Sequence, residues 1–121
     1  MINQKILSRP RRNRKTDSIR EMVRETRLHP SDLILPLFVV EGQNLQIEIE
    51  SMPDCYRLSP DLIVEEAKSA EQLGIPAVAL FPALSDLQKD HLATESINPN
   101  GLLQRTVRLL KSSVPAITVV T

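Results

Sequence analysis

The sequence predicts an α/β fold, namely the N-terminal βαβαβ portion of a parallel (β/α)8 barrel with an extended N-terminal arm. Three runs of residues are apolar throughout instead of alternating, as expected for parallel strands that are buried on both faces. They begin at residues 33, 77 and 116, and a helical pattern separates each pair. Eight units at this spacing need roughly 320 residues, within the upper range for such barrels. Residues 31–121 therefore supply the first three strands and intervening helices of an incomplete barrel, after an arm of residues 1–30.

The arm is polar and basic where it begins and helical where it ends. Residues 1–16 have no apolar periodicity, so we expect them to need another surface to become ordered. Residues 17–25 predict a short helix that Thr16 or Asp17 is placed to cap. Its apolar face consists of Ile19, Met22 and Val23.

The charge of the chain is divided between the arm and the body. Residues 1–30 carry nine Lys and Arg against three Asp and Glu, whereas residues 31–121 carry six against twelve. The basic cluster at residues 9–15 suits either nucleic-acid phosphates or an acidic protein surface, but it lacks aromatic residues that stack on bases. Because a body of opposite sign attracts the arm, we expect a protein contact and no nucleic-acid partner. The alternative function is a non-enzymatic α/β binding module that uses this arm for nucleic acid or protein.

The first apolar run, residues 33–40, predicts a strand with one unusual residue. Pro36 cannot donate a hydrogen bond to a neighbouring strand, so it belongs at an edge, at a bulge, or where an amide has no partner. Residues 41–58 are then predicted as a long loop.

Residues 59–74 carry the clearest helix signals in the chain. Ser59 stands at the capping position and Pro60 at the first helical position. Asp61 follows in the first turn, where the helix dipole favours negative charge. Gly74 suits the position just past the end of the helix.

The rest of the chain repeats the alternation of strand and helix. Residues 77–82 predict the second strand, residues 83–98 a polar loop, residues 99–112 a third helix and residues 116–121 the third strand. A five-stranded doubly wound sheet is the other possible completion. Against it, the residues after the first strand, 41–44, do not form a glycine-rich phosphate loop.

No reactive constellation is evident, so we expect no catalytic residue and no metal ligand in this chain. His29 and His91 lack a metal-ligand spacing, and Cys55 has no neighbouring histidine that would activate it. Barrel enzymes place Schiff-base lysines at the carboxyl ends of strands. None of the lysines, Lys5, Lys15, Lys68, Lys89 and Lys111, is predicted at such an end.

The sequence also favours a soluble protein of the reducing cytoplasm. Cys55 is the only cysteine, which excludes a disulfide within the chain. No stretch approaches the roughly 18 apolar residues of a membrane span. The first residues lead into arginines instead of an apolar signal. We therefore expect neither secretion nor a membrane partner.

Taken together, these segments closely resemble the amino-terminal third of the bacterial-type porphobilinogen synthase family, also called δ-aminolevulinic acid dehydratase. The resemblance runs over residues 9–121 and rests on five ordered motifs. They are Arg9–Arg12; Asp32–Val39 with Glu41–Gly42; Ser51–Pro53 with Arg57–Ser59; Leu73–Pro82; and Asn98–Pro99 with Gly101–Leu102 and Gln104–Arg105. The chain departs from the family at Asp54-Cys55, where glycine is usual after Met-Pro, and in a loop 83–98 that is poorer in Gly and Ser.

The resemblance implies a TIM barrel whose N-terminal arm embraces a neighbouring subunit, in homo-octamers built from dimers. It also implies the reaction, in which two molecules of 5-aminolevulinate condense with loss of two waters to give porphobilinogen for haem and other tetrapyrroles. In the family, two Schiff-base lysines lie on later strands, and ligands for Mg²⁺ and/or Zn²⁺ follow the third strand. The resemblance therefore implies that this chain binds no cofactor and is inactive alone.

Only a few positions carry over from the family residue by residue. Phe81, at the carboxyl end of the second predicted strand, matches an aromatic residue near the substrate pocket, and a core phenylalanine is the alternative. Arg9, Arg11 and Arg12 match arm residues at subunit contacts, near the allosteric magnesium of some members.

Overall fold

A five-stranded sheet with two helices packed on one face forms the body of the chain, and the computed structural model describes residues 11–121. The helices are α1 (Asp17–Met22), α2 (Pro60–Gln72) and α3 (Leu102–Ser113), and the strands are β1 (Ile34–Val39), β2 (Gln46–Glu48), β3 (Tyr56–Leu58), β4 (Ala77–Pro82) and β5 (Thr118–Val120). Short 3₁₀ turns cover Arg12–Arg14, Pro30–Asp32, Asp86–Gln88 and Thr94–Ile97. The strands lie in the order β2-β3-β1-β4-β5.

Three of the strands are parallel neighbours and confirm the predicted βαβαβ pattern. β1 pairs with β4 over its whole length, from Ile34 opposite Ala77 to Val39 opposite Pro82. β4 pairs in the same direction with β5, beginning with Ala77 opposite Thr118. Helices α2 and α3 form the connections between these strands, so the chain has the α/β fold of the first part of a barrel.

Pro36 lies in the middle of β1. Its missing amide breaks no hydrogen bond, because no carbonyl of a neighbouring strand lies opposite it. The amide of Val40 donates to the carbonyl of Leu58 in β3 at 2.9 Å. Amides two residues apart in a strand point to the same side, so position 36 faces the side of β3. However, β3 pairs only with Phe38 and Val39. Of the predicted alternatives, the position where an amide has no partner is confirmed, because β1 is the central strand of the sheet and not an edge.

The prediction of a long loop at residues 41–58 is wrong in part, because this segment contains β2 and β3. The two strands are antiparallel, and the amide of Ile49 donates to the carbonyl of Cys55 at 2.9 Å beside them. Asp54 in the turn has a φ of 61°, a left-handed conformation that Gly, Asn and Asp adopt most readily. Asp54 thus takes a conformation suited to glycine, which explains how the chain accommodates its departure from the family pattern.

One apolar core lies between the sheet and helices α2 and α3. Its buried members are Leu37, Val39, Leu58, Ile63, Val64, Ala67, Ala70, Val78, Leu80, Leu102, Leu110, Val114 and Ile117. The opposite face of the sheet is open, since Ile34, Phe81 and Val120 are 57%, 50% and 44% exposed. In a closed barrel of parallel strands this face lines the interior.

The predicted ends of α2 are confirmed. Pro60 is its first residue and follows Ser59. At the other end, Gly74 has a φ of 82°, and the amide of Ile75 donates to the carbonyl of Ala70 at 2.9 Å. This hydrogen bond defines a Schellman motif, which satisfies a carbonyl at the end of the helix.

Helix α1 is shorter than predicted, because it ends at Met22. Its predicted cap is confirmed: the Thr16 hydroxyl accepts a hydrogen bond from the amide of Ile19 at 3.3 Å. Met22 and Leu28 are 81% and 80% exposed, so this part of the arm presents apolar side chains to the outside. Within residues 11–121, no helix is both long and apolar enough to cross a membrane.

Candidate functional site

The carboxyl ends of β1, β4 and β5 meet at one edge of the sheet, where barrel enzymes build their sites. Phe81 lies at this edge and faces Phe38 of β1, with the ring centroids 5.7 Å apart and the planes inclined by 34°. Half of the Phe81 surface remains accessible. In the described chain Phe81 is therefore an aromatic residue of the open face and not part of the packed core.

Arg105 joins the loops that meet at this edge. Its Nη2 atom donates to Oε2 of Glu41, in the segment after β1, at 2.5 Å. Its Nε atom donates to the carbonyl of Asn100, at the end of the loop that follows β4, at 2.9 Å. A planar guanidinium can serve two acceptors in this way, so one side chain connects the exit of β1 with the start of α3.

A cavity of about 220 Å³ lies between the loop after β4 and the first turn of α3. Its apolar wall includes Pro82, Leu84, Ala93 and Leu103. Gln104 also lines it, and the Nε2 atom of Gln104 donates to the carbonyl of Ser96 at 2.6 Å. The Oε1 atom of Gln104 is buried and accepts no hydrogen bond from the described residues.

The start of α2 holds the segment after β1 in place. The buried hydroxyl of Ser59 accepts from the amide of Leu45 at 2.9 Å, and Oδ2 of Asp61 accepts from the amide of Asn44 at 2.9 Å. The hydrogen bond from Ser59 lowers the pKa of the Asp61 carboxyl below its ordinary value, burial opposes this shift, and the Asn44 amide adds to it. The sequence predicts Ser59 and Asp61 only as residues at the start of a helix, and it does not predict their hydrogen bonds to the segment after β1.

Neutralising Asp61 should weaken the fold at neutral pH and should matter less in acid. A carboxyl whose pKa is lower in the folded state stabilises the protein above its unfolded pKa, and that stabilisation is lost as pH falls through the folded pKa. For Asp61 the loss therefore begins near pH 3.8 and continues below it. We expect Asp61→Asn to lower the urea midpoint at pH 7, and the difference from wild type to shrink only as the pH falls below 3.8. Glu71→Gln, an exposed change on the same helix, is the control; equal behaviour of the two variants would contradict the prediction.

The structure describes some, but not all, of the arm residues selected from the sequence. Arg11 and Arg12 are exposed beside or in the first 3₁₀ turn, whereas Arg9 lies outside the described residues.

The other candidate residues have ordinary local roles. His29 is exposed, and its Nδ1 atom is hydrogen-bonded to the Ser31 hydroxyl at 2.9 Å. Cys55 is half-buried in the turn of the hairpin. Among residues 11–121 there is no group of three or more His, Cys, Asp or Glu that could hold a metal ion. We therefore assign no metal ligand to these residues.

Two lysines of the body, Lys68 and Lys111, belong to helices α2 and α3, whereas Lys89 lies in the loop after β4 and lines the cavity beside the end of that strand. The ammonium groups of Lys68 and Lys89 pair with Glu65 at 2.8 Å and Asp86 at 3.0 Å. The Nζ atom of Lys111 donates to the carbonyl of Ile117 at 3.2 Å. None of these three lysines is placed to form a Schiff base at the edge that carries Phe81.

The parallel strands, the helices on one side, and the uncovered inner face define a segment of a βα-barrel enzyme. Comparison with known proteins identifies which enzyme family it is. The family model for delta-aminolevulinic acid dehydratase matches residues 7–121, and the chain belongs to this family.

Similar proteins agree with that assignment in both sequence and structure. The chain is 47% identical to the delta-aminolevulinic acid dehydratase of Bradyrhizobium diazoefficiens, over 90% of this chain and 31% of the relative. It is 46% identical to the enzyme of Synechocystis sp., over 93% of this chain and 34% of the relative. A crystal structure of the Toxoplasma gondii enzyme in complex with the reaction product porphobilinogen matches with a TM-score of 0.86 and 42% identity. That match covers 94% of this chain and 32% of the solved chain, so our chain spans about a third of its relatives.

Proposed function

We propose that this chain is the amino-terminal third of a porphobilinogen synthase, which condenses two molecules of 5-aminolevulinate to porphobilinogen with loss of two waters. The observation that carries the proposal is the family match over residues 7–121. The likeness to a solved enzyme that holds porphobilinogen supports the same substrate and product. Within that enzyme, this chain supplies scaffold, assembly arm and part of the wall at the carboxyl end of the barrel.

Phe81 is the residue of this chain that we propose to contact the substrate. It lies at the carboxyl end of β4, it is half-exposed on the inner face, and its ring packs against Phe38. An aromatic side chain in this place provides apolar surface for the carbon chain of 5-aminolevulinate and excludes water from its carbonyl. Its role is binding and orientation, since a phenyl ring transfers no proton.

The 121-residue chain is proposed to be inactive alone. Schiff-base chemistry needs a lysine whose amine reaches the substrate carbonyl, and the amines of Lys68, Lys89 and Lys111 are each engaged by a neighbouring carboxylate or carbonyl. The catalytic lysines, and the ligands of any Mg²⁺ or Zn²⁺, therefore belong to residues that follow this segment in the longer enzyme. A bound metal ion would supply Lewis-acid or structural charge there.

The arm is proposed to contact a second subunit, through Arg9, Arg11 and Arg12, in a cytoplasmic homo-octamer. Its positive charge is complementary to the acidic body. The exposed apolar side chains of Met22 and Leu28 provide surface that a neighbouring copy can cover.

Assaying two proteins from the same gene tests the proposal. The 121-residue chain and the longest product of that gene are each incubated with 5-aminolevulinate, under a series of Mg²⁺ and Zn²⁺ concentrations, and porphobilinogen is measured. We expect product from the longer protein and none from the short chain. The Bradyrhizobium relative serves as the positive control.

Two results would contradict this. If the longer protein makes no porphobilinogen under any metal condition while the control does, the proposed reaction is wrong. If the short chain alone makes product, the catalytic lysines have been assigned to the wrong part of the protein.

A further inference from the structure

Three side chains of α3 reach back to hold the end of the loop that follows β4. Gln104 donates to the carbonyl of Ser96 at 2.6 Å. Arg105 donates through Nε to the carbonyl of Asn100 at 2.9 Å. Arg108 donates through Nη2 to the carbonyl of Pro99 at 2.7 Å. Together they fix loop residues 96–100 against the helix, because each carbonyl receives a donor from an ordered element.

Within residues 11–121, Arg105 is the one among these three that is also hydrogen-bonded to the segment after β1. Its hydrogen bond to Glu41 spans 64 positions of sequence. Since Glu41 follows the end of β1 and Asn100 precedes α3, the guanidinium couples two connections at the carboxyl edge of the sheet. Loss of the Arg105 side chain therefore removes its hydrogen bonds to Glu41 and to Asn100 together.

The loop and helix are also packed too closely to shift without loss of contacts. A Cβ atom on Gly101 would lie 2.6 Å from Oε1 of Gln104 and 2.8 Å from Oε1 of Glu95. Such distances are shorter than van der Waals contact, so a larger residue at position 101 would displace the ends of the Gln104 and Glu95 side chains, and its Cβ would also lie 3.1 Å from the carbonyl oxygen of Asn98. The end of the loop, residues 96–100, therefore has a defined position against α3.

The position of this loop bears on the candidate site because the loop begins directly after Pro82, the neighbour of Phe81. Its residues Leu84, Ala93 and Ser96 line the cavity beside the end of β4. Moving the loop end changes that wall while leaving the apolar core on the other side of the sheet intact.

We propose that Arg105 is a positioning residue for porphobilinogen formation, acting through Glu41 and Asn100 on the loop beside Phe81. This inference rests on the proposed function of the longer enzyme. An exposed ion pair alone contributes little, and the side chains of Arg105 and Glu41 are 46% and 64% accessible. The effect of Arg105 comes from joining two loops, so it should appear in kinetics more than in stability.

The test is a double-mutant cycle in the longer enzyme. Arg105→Ala, Glu41→Ala and the double variant are compared with Lys68→Ala, which breaks an exposed pair on α2 with Glu65. We expect Arg105→Ala to lower kcat/KM by about three- to tenfold, mainly through KM, with an unchanged melting temperature. Arg105→Lys keeps the charge but replaces the separate Nε and Nη2 donors of the planar guanidinium with a single nitrogen, so it should recover only part of the loss. The double variant should be no worse than Arg105→Ala, because the two residues act together.

Amide hydrogen exchange provides a readout that does not depend on activity. In Arg105→Ala, exchange should quicken at residues 96–101 and stay unchanged in α2. If Arg105→Ala is as active as Lys68→Ala in an active wild-type background, or if the losses in the two single variants simply add, the inference is overturned while the proposed function stands. A wild-type enzyme that forms no porphobilinogen overturns both.

Discussion

Replacing Leu110 with alanine should lower the free energy of unfolding of this chain by about 2–5 kcal/mol, the usual range for a fully buried leucine. Leu110 has no exposed surface and belongs to the core between α3 and the sheet. The change removes apolar contacts and leaves a cavity that densely packed neighbours fill only in part. Urea denaturation at neutral pH, followed by circular dichroism, measures the loss.

The neighbouring residue provides a matched control. Leu109 lies on the same helix but is 38% exposed, so Leu109→Ala makes the same chemical change with the same effect on helix propensity. We expect it to lower the free energy of unfolding by about 1 kcal/mol or less, because less surface is removed from contact. Equal losses in the two variants would show that α3 does not pack against the sheet as described.

Phe81→Ala should lower kcat/KM of the longer enzyme by about tenfold or more. A large apolar side chain that becomes covered on binding is worth roughly 1.5–3 kcal/mol, and Phe81 offers half of its surface for this purpose. Phe81→Leu retains much of that apolar area and should recover part of the activity. Steady-state kinetics with 5-aminolevulinate measure both variants, with concentrations corrected for the folded fraction.

Ile34 is the control for Phe81. It lies on the same open face of the sheet, but at the amino end of β1, whereas Phe81 lies at the carboxyl end of β4. Ile34 is 57% exposed, but the amino ends of barrel strands serve stability and not chemistry. We expect Ile34→Ala to lower the melting temperature of the longer enzyme and to leave kcat/KM per folded molecule nearly unchanged. If Phe81→Ala also acts on stability alone, then Phe81 is a packing residue of the barrel interior.

The parts of the fold that the sequence predicts correctly are those with local causes. The helix from Pro60 and its end at Gly74 follow from capping preferences that act over a few residues. The strands β1 and β4 follow from uninterrupted apolar runs. Even Pro36, which is unusual within a strand, follows from the rule that proline occurs in a strand where its missing amide has no partner.

The features that escape prediction depend on distant contacts or on very short elements. The hairpin strands have three residues each, too few to show alternation. Glu41 and Arg105 both stand in segments that resemble the family, yet only the folded sheet brings them together across 64 positions. The arrangement of Gly101 against Gln104 and Glu95 requires knowing where two side chains point. Such contacts leave no periodic signal in a single sequence.

The hairpin has a consequence for the order in which the chain folds. The hairpin strands β2 and β3 are joined by residues 49–55 alone, whereas Ile34 must find Ala77 across an intervening helix. Hairpins form in roughly 1–10 μs, and pairing between distant strands is slower because a longer loop must close first. We therefore expect the hairpin to pair before the parallel strands assemble. Since β3 leads directly into α2 and pairs with the end of β1, it provides an early template on which β1 finds its register.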